Sequence, residues 1–126
     1  MTVEELRIGN LVDIGKEVNE LELVDFVDMY ENDTLKHFDP IPLNKDWLVK
    51  LGFEELEPFD SNKDGGYHED RWMHNETKLT LWFYLGNFDA CSIDGEGEWI
   101  NVSHVHQLQN LYFALTGEEL TLKTVL

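Results

Sequence analysis

The chain has 126 residues, 42% of them apolar and including four Trp, four Tyr and seven Phe, which suits one folded domain with a real core and not a disordered segment. Nine basic against 26 acidic side chains leave a formal net charge of −17, which sets the chain against direct binding of nucleic acid or an anionic membrane, because such affinity comes from neutralising phosphates. No run of about 18 apolar residues offers a membrane span, the opening Met1-Thr-Val-Glu-Glu lacks a secretory pattern, and the lone Cys91 cannot form an internal disulfide. Together these predict a cytoplasmic protein.

Taken in chain order, Leu6 to Gly15 reads as a strand between turns, with Gly9-Asn10 allowing a bend. Val18 to Tyr30 has no 3.6-residue stripe. Leu21 and Leu23 alternate, then Val24 and Phe26 fall on the other parity, as in a bulged strand. Leu35 to Phe38 returns as a short strand, completing a small N-terminal antiparallel sheet. The segment PIPLNKDWLVKLGF (Pro40 to Phe53) predicts a short helix over 45–51. Asn44 is its cap, Leu43 staples onto Leu48, Trp47, Leu48 and Leu51 face inward, and Gly52 ends it. A strand near Phe53 to Leu56 and a polar loop from Glu57 to Asp70 lead into antiparallel strands over 71–102.

The final helix is predicted over 104–115, capped by Ser103, ended by Gly117 and packed on those strands. Val105, Leu108, Leu111, Tyr112 and Leu115 fall in one arc of roughly 120°. His104 borders that arc and His106 points about 160–200° away from it. Residues at i and i+2 on a helix do not share a face, so the pair is expected to be structural, with His106 at the surface. The resulting class is α+β in a single domain, 1–126.

Three segments, ELRIGN (Glu5 to Asn10), PIPLNKDWLVKLGF and VHQLQNLYFALTGEEL (Val105 to Leu120), resemble a family of small uncharacterised bacterial and phage or mobile-element proteins. The resemblance covers about a third of the chain and implies a shared fold and an intracellular, phage-linked setting. It implies no activity, cofactor or catalytic residue.

Among the chemical candidates, DSNKDG places Asp60, Asn62 and Asp64 as in the opening of a calcium loop. The twelfth position is Arg71 where a bidentate Glu belongs, and the plain acidic loop is the stronger reading. His68 and His74 lack a second spaced ligand for zinc, and Cys91 sits in an apolar strand with no base beside it. The expected function is therefore binding and not catalysis. The leading expectation is an acidic accessory protein whose Glu20, Glu22, Asp25 and Asp28 engage a basic, nucleic-acid-binding protein by imitating phosphate charge. The alternatives are a small-ligand binder using an aromatic sheet face of Trp72, Trp82, Tyr84 and Trp99, and a calcium-stabilised structural protein.

Overall fold

Pro42 and His104 pair as an isolated antiparallel bridge, and the chain between them forms a unit of its own. The computed structural model describes residues 2–56, 59–60, 68–84, 87–93 and 96–122. The first unit comprises the chain up to Pro42 together with His104–Leu120, and the second comprises Leu43–Ser103 and the residues after Leu120. The α+β class predicted from the sequence is present, and each unit has its own architecture.

In the first unit, β1 (Leu11–Ile14) and β2 (Glu17–Glu20) form a two-stranded antiparallel sheet, with Leu11 opposite Glu20 and Ile14 opposite Glu17. The next segment departs from expectation. Residues 23–32 form a helix, α1 (Leu23–Asn32), and not the continuation of a bulged strand. Asp25 Oδ2 accepts from the Glu22 backbone amide at 2.8 Å, which occupies an exposed donor just before the helix. No single stripe was visible because only Phe26 and Met29 turn inward; Leu23, Val24, Val27 and Tyr30 are exposed. Residues 34–37 form a 3₁₀ turn where a strand was expected, and the return is reduced to one bridge, with Asp13 and Asp39 exchanging backbone hydrogen bonds of 2.8 Å. Leu6, Val12, Leu21, Met29 and Phe38 make the core of this unit, flanked by Ile14, Phe26 and Leu35.

In the second unit, α2 (Lys45–Lys50) begins as predicted: Asn44 accepts from the Trp47 amide at 2.9 Å, a cap worth about 1 kcal/mol. Trp47, Leu48 and Leu51 are buried, and α2 packs on β3 (Phe53–Glu55). The remaining strands are β4 (Phe59–Asp60), β5 (His68–His74), β6 (Thr80–Tyr84), β7 (Asn87–Ile93) and β8 (Glu96–Asn101). They form an antiparallel sheet in the order β3-β5-β6-β7-β8, with β4 also paired to β5.

The last described helix, α3 (Val105–Thr116), belongs to the first unit. Its N-cap is His104 and not Ser103, and Gly117 closes it as predicted, donating to Phe113 O at 2.8 Å with φ +74°. The face it buries is rotated by roughly 80° from the apolar arc expected at 100° per residue. His106 and Gln109 are buried beside Val105, Leu108 and Tyr112, whereas Leu115 is exposed.

Candidate functional site

The cause of that rotation is a polar cluster within the first unit. Gln109 Oε1 accepts from the Leu11 amide at 2.7 Å, and its Nε2 donates to Gly9 O at 3.1 Å and Leu120 O at 3.3 Å. Asn110 donates to Glu5 O at 2.7 Å and accepts from Arg7 Nε at 2.7 Å and Asn10 Nδ2 at 2.9 Å. Arg7 also reaches Glu119 at 2.7 Å and lies 4.5 Å from the centre of the Phe113 ring. Burying polar groups is tolerated because these partners replace water. The segments ELRIGN and VHQLQNLYFALTGEEL are therefore clasped together by their polar residues within the first unit.

His106 is a correction to the sequence reading. It is 1% exposed, its ring stacks on that of His104 with centroids 5.9 Å apart, and neither ring nitrogen has a hydrogen-bond partner among the described residues. Glu5 Oε2 stands 3.8 Å from Nε2, too far for a hydrogen bond but close enough to act by charge. Burial pushes the His106 pKa down, Glu5 works in the opposite direction, and His104 adds to the depression. Residues at i and i+2 meet here because His104 is the extended cap residue and not the first residue of the helix. Even so, no group of three or more His, Cys, Asp or Glu gathers in metal-binding geometry among the described residues. An imidazole with 1% exposure also offers a substrate no approach.

The sheet does not bring the four aromatic candidates onto one face. Directly opposed residues of an antiparallel pair project to the same side. Trp72 is opposite Leu81 and Arg71 is opposite Trp82, so Trp72 and Trp82 face opposite ways. Trp72 is buried on the side that holds Leu81, Phe83 and Cys91. Trp82 is half-buried, 5.5 Å from the Arg71 guanidinium. Ile100 is opposite Cys91, which turns the exposed Trp99 to the Trp82 side. Tyr84 ends β6 at a register shift. A flat platform built from all four is thus absent.

Asp60 ends β4 opposite His68, while Asn62 and Asp64 lie outside the described residues. His74 has a structural post: its Nδ1 accepts from the Glu76 and Thr77 amides at 3.3 and 3.4 Å, and its ring meets Phe53 edge-on at 5.2 Å. Cys91 is fully buried, and burial raises its thiol pKa to about 11, which keeps it protonated and unreactive at neutral pH.

The acidic candidates do come together around α1. Glu20 ends β2, Glu22 caps the helix, and Asp28 lies on its outer side; all three are exposed. Asp25 is half-buried and spends one oxygen on the cap. Between them lies an exposed apolar stripe of Leu23, Val24, Val27 and Tyr30 that the sequence reading missed. Its signal was the i, i+4, i+7 spacing of Leu23, Val27 and Tyr30, obscured by the second apolar face of Phe26 and Met29. No described helix is long and apolar enough to cross a membrane. Comparison with known proteins adds no assignment: no family model, no curated protein and no solved structure matches this chain.

Proposed function

We propose that this chain is a small, acidic, non-enzymatic accessory protein of a phage or mobile element, acting in the cytoplasm by binding a basic protein, with nucleic-acid-binding proteins as the partner class. The observation that carries this reading is the surface around α1. Residues 17–35 hold seven carboxylates and no Lys or Arg, and Glu20, Glu22 and Asp28 among them are exposed. A field of one sign attracts a partner of the other and speeds its encounter. A protein that evolved to hold phosphates presents that opposite sign. The resemblance of the three sequence segments to a phage-linked family supports the setting, and the protonated Cys91 and enclosed His106 support binding over catalysis.

The test compares the natural chain with an E20K/D28K variant, each immobilised and exposed to bacterial lysate at low salt. Glu22 and Asp25 are left alone because they form the cap of α1. The expected partners are basic nucleic-acid-binding proteins that elute as NaCl rises, are displaced by added DNA, and are lost in the variant. Salt-sensitive partners without a basic member, or the same set on both chains, would remove the reading.

A further inference from the structure

The α1 helix has two apolar faces, and the fold uses one. Phe26 and Met29 enter the core of the first unit. Leu23, Val27 and Tyr30 form a second stripe about 100° round the helix from them, with Val24 at its side. Leu23 is 66% and Tyr30 92% exposed. Single exposed apolar residues are ordinary on protein surfaces, but four adjacent ones on one helix make a continuous patch, and such patches mark sites of association. The stripe runs about 10 Å, two turns of helix. Glu31 lies between Val27 and Val24 around the helix, and Asp28 lies just beyond Val24; both are exposed.

We propose that α1 docks a basic amphipathic helix of the partner protein. The inference rests on the basic-partner reading above and adds the shape of what is recognised. Ridges of apolar side chains on one helix pack into the grooves of another, and an amphipathic helix recognised this way presents apolar anchors at i, i+3, i+4 and i+7. Lys or Arg beside those anchors would meet Asp28 and Glu31. The charge selects this occupant over a second copy of the chain, whose own Asp28 and Glu31 would be pressed against their counterparts at the cost of like-charge repulsion.

Two synthetic peptides of about five helical turns test this: one with a leucine stripe flanked by lysines, and a scrambled isomer of the same composition without the stripe. Binding is read by fluorescence anisotropy. The striped peptide is expected to bind more tightly than its isomer by about tenfold, the usual scale for a central interface contact. V27D and Y30S are each expected to abolish that preference at an unchanged melting temperature, because both side chains lie outside the core. D28K/E31K is expected to weaken both peptides.

Equal affinity for the two peptides, still reduced by D28K/E31K, would overturn helix docking and leave the basic-partner reading standing. Loss of neither peptide on charge reversal would strike that reading itself. A dimer seen by sedimentation and lost in V27D would place a second copy on the stripe and overturn the proposal.

Discussion

The Leu11 backbone amide donates to Gln109 Oε1 across 2.7 Å, so the opening residue of β1 completes its hydrogen bonding with a side chain of α3. Gln109 is only 2% exposed, and both ends of its amide are occupied. Gln109→Ala leaves the Leu11 amide buried and unpaired, and the expected loss of stability is about 2–3 kcal/mol. Gln109→Glu is expected to lose more at neutral pH, since a carboxylate cannot donate to Gly9 O or Leu120 O and is itself buried. Urea midpoints at constant slope measure both. A loss under about 0.5 kcal/mol for Gln109→Ala, the range of ordinary surface changes, would show that the contact does not hold the helix.

That contact marks the limit of what could be read from the sequence. The α2 helix was legible from Asn44 to Gly52 because its cap, staple and stop are local signals. The strands of the second unit from Arg71 onward were legible because their period is 2 and Gly and Asn punctuate them. In contrast, β4 and the first residues of β5, 68–70, fell in the segment expected to be a polar loop, where charged residues hide the alternation. The buried face of α3 was not, because apolar spacing weighs Leu115 above Gln109, while the fold buries the amide that satisfies Gly9, Leu11 and Leu120. His106 was misplaced to the surface for the same reason. The α1 helix was lost for a different one: an inward pair, Phe26 and Met29, and an outward stripe share ten residues, so neither period stands out. Of the candidate site, the carboxylates were legible from charge alone, and the apolar stripe they border was not.

Gly52 and Gly117 both have positive φ, at +91° and +74°, but differ in what surrounds them. A Cβ on Gly52 would stand 3.2 Å from His74 Nε2, whereas one on Gly117 would meet nothing within 4 Å. Gly117→Ala is therefore expected to cost only the backbone term, about 1–2 kcal/mol. Gly52→Ala is expected to cost more, because the His74 ring is held by the Glu76 and Thr77 amides and by Phe53 and cannot step back freely. Thermal melts of the two variants rank them. Equal losses would mean that the imidazole yields.

The surplus of acids is expected to make the fold more stable in moderate salt. Arg7–Glu119 and Lys45–Glu55 are partly exposed pairs, the latter at 4.0 Å, and each is worth at most about 1 kcal/mol. Screening weakens them, but it also weakens repulsion within a net charge of −17, and the repulsive pairs are far more numerous. The melting temperature should therefore rise from low ionic strength to about 0.15 M NaCl, where the Debye length is about 8 Å. Calorimetry at several NaCl concentrations reads the direction. A flat or falling curve would mean that the carboxylates are spaced widely enough not to repel, and would weaken the case for a concentrated field around α1.

Acid should loosen the first unit in two separable steps. Burial holds the His106 pKa below its ordinary 6.5, so below that pH the unfolded chain binds a proton that the folded chain resists. Stability from this site is complete above 6.5 and is lost as pH falls toward the folded value. Glu5 acts lower on the scale. Burial pushes its pKa up, but the Thr2 amide and the His106 charge outweigh that and hold it below 4.5. Its contribution is present above 4.5 and is lost as pH falls through the folded value. His106→Phe is expected to flatten stability against pH just below 6.5 and to shrink the lower step, because it removes the charge that helps the Thr2 amide hold Glu5 down. Glu5→Gln is expected to steepen the loss below 6.5, because it removes the one neighbour that favours the imidazolium. Urea unfolding at a series of pH values distinguishes them, and an unchanged profile in His106→Phe would show that the buried ring titrates as freely as it does in the unfolded chain.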